Sequence, residues 1–365
     1  MGAAFQQGQG VINPIAGVAI RAVSAVVPTR IARTADYLHL SPEERARFQK
    51  ATGIAERHIV HPGQCASDLC ITAALRALEH LGWEPESVGA LVLITQTGDQ
   101  PVPATSLGIQ HKLRMAQSCL AFDVNLGCSS YPYGLAIVSS LMGTLGIKRA
   151  LLLIGDVSSL TCAEHDKSSW PLFGDAGSAT ALELDPNAPK MYLDLMSDGA
   201  GKEAIIIPRG GLASRRPPGD GLAEQETDHD GITRRPDQLI LRGADIFGFA
   251  ISKVPPSIQR TLDAAGMSNT EIDFLVLHQA NKMINDTIAK KTGFPGDKTP
   301  SSLEHYGNTS SASIPVTLGA NAAQFFEAQR SALLCGFGVG LSWGCALVTL
   351  AQGTVLPIIE SDHVH

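Results

Sequence analysis

The chain is short of charged and aromatic residues, 17% and 5%, against a hydrophobic content of 44%. A chain with that much apolar material has an interior to fill, which excludes disorder as its theme. It also lacks any long basic stripe and carries a net charge of −7, so nothing in it would neutralise nucleic-acid phosphates. No apolar run approaches the roughly 20 residues of a membrane-spanning helix. The N-terminal stretch GVINPIAGVAIRAVSAVVP is interrupted by Pro14 and Arg21 and has no basic region before it. A first β-strand is expected there rather than a signal peptide. Seven cysteines, an odd number scattered from Cys65 to Cys345, do not form a disulfide framework, and a reducing cytoplasm is the expected location. His58, His61, Cys65 and Cys70 lie close together, but their spacing fits no common structural zinc site, so no metal is expected.

What is present points to a layered α/β protein. The 36 glycines suit tight turns and close backbone approaches. At 365 residues the chain can form one large or two medium domains. Ser41, Pro42 and Glu44 spell a capping box at a helix start. A shift of 184 positions lays Leu78 on Leu262, Gly82 on Gly266, Val88 on Ile272 and Leu91-Val92-Leu93 on Leu275-Val276-Leu277. Each copy reads as an amphipathic helix, a glycine stop, a short acidic turn and a buried strand. At about the same shift LGC (126–128) falls on YGN (306–308), and RALLLIG (149–155) on RSALLCG (330–336). Two related α/β halves are expected, residues 1–185 and 186–365.

The repeat gathers chemistry-bearing residues. In FDVNLGCSSYPYGLAIVSSLMG, Cys128 stands between an extended apolar segment and a small-residue helix. There the first-turn N–H groups would favour thiolate over thiol. His278 ends the strand FLVL, and Asn308 takes the place in the second half that Cys128 takes in the first. Ligands of open α/β sheets collect beyond the carboxyl ends of strands, so the three should face one site. GFGVG (336–340) is succeeded by a strand-like alternation, which argues against a nucleotide-binding loop.

The segments around Cys128, LHQAN (277–281), YGNTSSASIP (306–315) and GFGVGLSWGCALV (336–348) resemble the signatures of the β-ketoacyl-acyl-carrier-protein synthase III family. TGIAERHIV (52–60) and LFGDAGSA (172–179) match two further landmarks, so the resemblance runs from about residue 17 to about residue 351. It implies a thiolase-like, five-layered αβαβα fold and a homodimer. It also implies acyl transfer to Cys128 followed by decarboxylative condensation with a malonyl thioester, starting a fatty-acid or polyketide chain. Acyl-CoA or acyl carrier protein and malonyl carrier protein would be the substrates, with no cofactor. His278 and Asn308 would donate hydrogen bonds to the enolate, and the backbone N–H groups of Cys128 and Val339 would hold the tetrahedral intermediate. Where the carbanion arises by proton abstraction, as in hydroxymethylglutaryl-CoA synthases, a carboxylate would be expected instead.

The resemblance also locates the substrate contacts. Val102 would close the acyl pocket of a partner subunit and, being small, leave room for chains longer than acetyl; Phe173 would line that pocket. Arg47 and Ala51 stand where the family carries a Trp and an Arg that clasp coenzyme A, and Lys167 replaces a second Arg. Coenzyme A or carrier contacts would then fall to Arg47, Lys167, Asn281, Lys282, Lys290 and Lys291, the three last lysines being expected on one side of a helix. Asp175 in FGDAG is expected to be a turn or hydrogen-bonding residue, and the polar segment 209–238 an exposed loop near the substrate entrance. The rivals are an acyltransferase that passes the Cys128 acyl group to oxygen or nitrogen, a silent subunit of a heterodimer, and a thiol hydrolase. Intact Cys128, His278 and Asn308 argue against the silent subunit.

Overall fold

Runs such as Ala90–Ile94 (ALVLI) and Arg149–Asp156 (RALLLIGD) lack polar alternation, the pattern of strands covered on both faces, and both are buried along almost their whole length. The computed structural model describes residue 10 and residues 14–212, 225–227 and 231–365. Its main strands are β1 (Val18–Val27), β2 (Ala90–Ile94), β3 (Leu120–Val124), β4 (Arg149–Asp156), β5 (Ala176–Leu184), β6 (Tyr192–Ser197), β7 (Phe274–Leu277), β8 (Arg330–Gly338), β9 (Ser342–Leu350) and β10 (Ile359–Glu360). The helices that matter here are α1 (Pro42–Thr52), α2 (Ala66–Leu81), α3 (Ser130–Leu145), α4 (Gly243–Ala265), α5 (Lys282–Thr292) and α6 (Ser313–Ala320).

One sheet runs β10-β1-β5-β4-β2-β3 and the other β7-β8-β9-β6. The order β1-β5-β4-β2 in the first matches β6-β9-β8-β7 in the second. Directions match too: β4 is parallel to β2 and antiparallel to β5, as β8 is parallel to β7 and antiparallel to β9. α2 and α4 both stop at left-handed glycines, Gly82 (φ 61°) and Gly266 (φ 67°), where a side chain would strain the backbone. Each is followed by a 3₁₀ turn, Pro85–Ser87 or Asn269–Glu271, and then by β2 or β7. Of these main strands, those up to Leu184 belong to the first sheet and those from Tyr192 to the second, except that β10 returns to pair with β1.

The layers follow from which faces are apolar. α2 packs its alanines and leucines on the first sheet, against residues such as Leu91, Leu151 and Ala179. α3 and α6 lie between the sheets, where Tyr131, Leu135, Met142, Ile314 and Leu318 share a core with Val92, Leu152, Val276 and Leu334. α4 and α5 cover the outer face of the second sheet through Phe249, Ile258, Ile284 and Ile288. The result is the five-layered αβαβα arrangement. The Ser41 capping box forms, with Glu44 accepting from the Ser41 N–H at 2.7 Å. No helix among the described residues is long and apolar enough to cross a membrane.

One close contact between layers is at Gly177 of β5, where an added Cβ would lie 2.6 Å from the backbone N of Cys70 in α2. Gly177→Ala should therefore lower the unfolding free energy by about 1–3 kcal/mol, the usual cost of overpacking, measured by urea denaturation. An unchanged midpoint would contradict this account of α2 packing.

Candidate active site

The duplication brings Cys128, His278 and Asn308 to one place from three different elements. Cys128 lies in the turn that leaves β3, just ahead of Ser129, the N-cap of α3. Asn308 lies in the corresponding turn ahead of the 3₁₀ segment Ser310–Ala312 and α6. His278 directly follows β7. All three line a cavity of about 830 Å³, part of it open to solvent, whose apolar wall includes Leu172, Phe173, Ile205, Leu239 and Leu241.

Each group is held in a defined chemical state. Burial pushes the His278 imidazole down to about 3, with a backbone hydrogen bond to Ser310 pulling the other way, so the ring is uncharged at neutral pH. Its Nδ1 is 2.6 Å from Ser313 Oγ; a donating hydroxyl there puts the ring proton on Nε2. Asn308 Oδ1 accepts the Ser310 N–H at 3.0 Å, which leaves its NH₂ group as the donor available to the cavity. Ser310 adopts a positive φ of 49° to make this contact, a conformation uncommon for a residue with a side chain.

Cys128 departs from the expectation of a stabilised thiolate. Burial pushes its thiol up to about 11, the Asp156 charge adds to that, and N–H groups of Val339 and of Cys128 itself, with the Ser310 hydroxyl, oppose it. The sulfur sits ahead of the N-cap rather than inside the first turn, and the helix effect falls off within that turn. Desolvation therefore wins, and the resting nucleophile is a thiol. The GFGVG glycines serve this approach. A Cβ at Gly338 would lie 2.8 Å from Cys128 Sγ, and one at Gly336 would lie 2.8 Å from the Cys128 carbonyl oxygen. Gly340 leads almost at once into the strand β9, in keeping with the alternation of its sequence.

The surrounding assignments divide. Phe173 lines the cavity, and its segment is tied to Asn308: Asn308 N–H donates to Leu172 O at 2.9 Å and Gly174 N–H to Asn308 O at 3.0 Å. Val102 is 82% exposed and lines no part of its own chain's cavity. Asn281 caps α5, its Oδ1 accepting from Ile284 N–H, and also reaches the cavity. Arg47, Lys50, Ala51 and Lys282 line a separate surface depression between α1 and α5. Lys167 pairs with Glu44 at 3.1 Å. Lys282, Lys290 and Lys291 do not share one side of α5. Nine residues at about 100° each turn through about half a circle; Lys282 faces the α1 depression and bonds to Asp286, whereas Lys291 donates to Ile251 O of α4. Asp175 is a hydrogen-bonding residue, accepting from Val60 N–H, Ser159 N–H and Ser159 Oγ–H. Among the described residues no group of three or more His, Cys, Asp or Glu could hold a metal ion.

The segment 209–238 is not wholly an exposed loop. Arg234 is buried against Asp166, at 2.8 Å, and the segment's base is a pair of two-residue strands, Ile205–Ile206 and Ile240–Leu241, of which Ile205 and Leu241 wall the cavity. Residues 213–224 and 228–230 of it lie outside the described residues. Two functional residues went unselected in sequence. Ser313 orients His278. Arg57, buried, donates to Trp170 O and Phe173 O, anchoring the segment that carries Phe173 and is hydrogen-bonded to Asn308. Ser313 lies within YGNTSSASIP and Arg57 within TGIAERHIV, so the signal was present without a role attached to it.

Residues 122–199 match the family model described as 3-oxoacyl-[acyl-carrier-protein] synthase III, and residues 262–350 match its C-terminal model. The chain is 33% identical over 352 residues to the β-ketoacyl-[acyl-carrier-protein] synthase III of Rhodopirellula baltica, covering 91% of this chain and 98% of that one. Its structure is similar to that of a 3-oxoacyl-(acyl-carrier protein) synthase from Burkholderia xenovorans, with a TM-score of 0.89, 32% identity and coverage of 97% and 99%. The priming β-ketosynthase of the R1128 polyketide pathway shares the fold, with a TM-score of 0.76 at 23% identity.

A thiol held near 11 has a testable signature. Alkylation of Cys128 by iodoacetamide should accelerate about tenfold per pH unit from pH 7 to 10 without levelling off, followed by mass spectrometry of the Cys128 peptide. A plateau below pH 8.5 would show a stabilised thiolate instead.

Proposed function

This chain belongs to the β-ketoacyl-acyl-carrier-protein synthase III family, and from that membership we propose how its own residues carry the reaction. It is an acyl-transferring condensing enzyme of the chain-initiating kind, on the thiolase fold. Cys128 attacks the acyl thioester, and the proton of its thiol ends on the departing donor thiol. The acyl group is then a thioester on Cys128. A malonyl thioester enters next and loses CO₂; the electrons of the broken carbon–carbon bond form an enolate, which attacks the acyl-enzyme. The β-ketoacyl thioester leaves, and the released sulfur takes up a proton. The N–H groups of Val339 and Cys128, which already contact the sulfur region, hold the oxyanion at the acyl carbon.

One observation carries the decarboxylative reading. The described residues lining the cavity include two neutral donors, His278 and Asn308, and no carboxylate. Proton abstraction from an acetyl thioester would call for a base there, whereas decarboxylation generates the carbanion unaided and needs only its enolate oxygen stabilised. The reaction uses no cofactor or metal.

The donor enters as acyl-CoA or on a carrier protein. The depression lined by Arg47, Lys50 and Lys282 offers cations for a phosphate or an acidic carrier surface. Lys167, held by Glu44, and Lys290, exposed on α5, extend that basic rim, while Lys291 is committed to α4. The enzyme acts as a homodimer. β3 is the outer strand of the first sheet, an edge that soluble proteins normally cover, and near it Leu107, Leu120 and Val102 are exposed. Pairing of two such edges would bring Val102 of one copy toward the cavity of the other. The free cysteines fit the cytoplasm.

Two outcomes test this reading. Asn308→Ala and His278→Ala should each slow condensation by about 10²–10³ while Cys128 acylation stays near wild type, measured as adduct formation and ¹⁴CO₂ release; equal loss of both half-reactions would remove the assigned roles. Val102→Phe should shift the preferred primer to shorter chains in an acyl-CoA competition assay, and an unchanged preference would show that Val102 does not close the pocket.

A further inference from the structure

Asp156 ends β4 fully buried, and none of the reaction steps above uses it. Its Oδ1 accepts three hydrogen bonds from the segment after β2: Thr95 Oγ1–H at 3.1 Å, Gln96 N–H at 2.8 Å and Thr97 Oγ1–H at 3.2 Å. Its Oδ2 accepts the N–H of Ser311 at 3.3 Å, from the 3₁₀ turn that begins two residues after Asn308. The first segment is bonded to the turn that carries the nucleophile. Gln96 Nε2 donates to Asn125 Oδ1 in the turn leading to Cys128 at 3.1 Å, and Gln96 and Thr97 both line the cavity. One carboxylate thus joins the Cys128 side of the site, built by the first half, to the Asn308 side, built by the second.

We propose that Asp156 is a positioning residue for condensation: it clamps the Asn308 turn to the cavity wall formed by Gln96 and Thr97, so that the Asn308 carboxamide meets the enolate formed next to acylated Cys128. The inference rests on the roles given above to Cys128 and Asn308. All four donors to the carboxylate are neutral, two hydroxyls and two backbone N–H groups, so its charge is not cancelled where it is held. That charge works on Cys128 in the same direction as burial. Among the titratable groups near this region, His278 lines the same cavity as Cys128 and is uncharged at neutral pH, and Cys70 of α2, which feels the Asp156 charge, has its thiol pushed up by burial to about 12. Neither carries charge that would mask the effect of Asp156 near neutrality.

Clamp and charge together make an unusual prediction for the isosteric Asp156→Asn variant. Losing the charge frees the thiol, and losing the acceptor for Ser311 loosens the Asn308 turn. Cys128 alkylation at pH 8 should become at least about threefold faster, corresponding to about half a pH unit. Acylation by acyl-CoA should hold or rise, and condensation with malonyl carrier should fall about tenfold or more. Damage to the fold would lower all three together, and that result, or three unchanged rates, would overturn the proposal. Should Asp156→Asn not fold, Thr95→Val removes one donor and keeps the charge. Condensation should then fall by about threefold or more with acylation within twofold, and equal loss of both would overturn the proposal. If the wild-type protein itself forms no Cys128 adduct, the reaction assignment fails, which is distinguishable from a wild type that acylates and an Asp156→Asn variant that behaves identically.

Discussion

The site depends on keeping a thiol, an imidazole and a carboxamide out of water without leaving a net charge on any of them. Burial acts on each in the direction chemistry needs: it raises the thiol, lowers the imidazole and requires the carboxamide to find fixed partners. A charged imidazole would attract the malonyl carboxylate and hold it back from leaving as CO₂. A neutral ring has no such pull, and in the proposed role its N–H would meet only the enolate oxygen that appears afterwards, an interaction strongest in the transition state, where it lowers the barrier. The same dryness explains the glycines of β8. Backbone at Gly336 and Gly338 packs directly on Cys128, filling with protein the space that water would otherwise occupy.

Duplication supplies the geometry. Each half contributes a central helix whose preceding turn presents one polar side chain, Cys128 ahead of α3 and Asn308 ahead of α6. Both helices pack into one core, and the two turns line one cavity. The buried clusters that hold them are separate on the outer faces and continuous in the middle, and the cavity opens beside that shared core. The paired strands Ile205–Ile206 and Ile240–Leu241 and the depression between α1 and α5, where the substrate contacts are proposed, lie farther out, where variation would cost the core little.

Much of this architecture is legible in the sequence because it is periodic. Equal spacing of Gly82 and Gly266, and of the apolar runs that form β2 and β7, reveals the two halves, and the same spacing puts Cys128, His278 and Asn308 together. Other features are illegible for physical reasons. The state of Cys128 turns on how much solvent its neighbours remove, and those neighbours, Gly338 and Val339, lie over 200 positions away. Lys282 and Lys291 look like partners by proximity in the chain, but helical rotation separates them. Ser313, Arg57 and Asp156 act through partners remote in sequence; Asp156 and Ser311 are 155 residues apart. Arg234 reads as part of an exposed loop because its segment is polar, yet the partner that buries it, Asp166, belongs to another loop.

The central claim is that Cys128 carries the acyl group to a carbanion made by decarboxylation in the same cavity. Intact-protein mass spectrometry of the wild type after acyl-CoA, and again after malonyl carrier, with CO₂ collected, tests it most directly. The account predicts an adduct absent from Cys128→Ala, discharged by malonyl carrier with one CO₂ released per adduct lost. An adduct that malonyl carrier leaves untouched, or that passes to an oxygen or nitrogen acceptor with no CO₂, would contradict it.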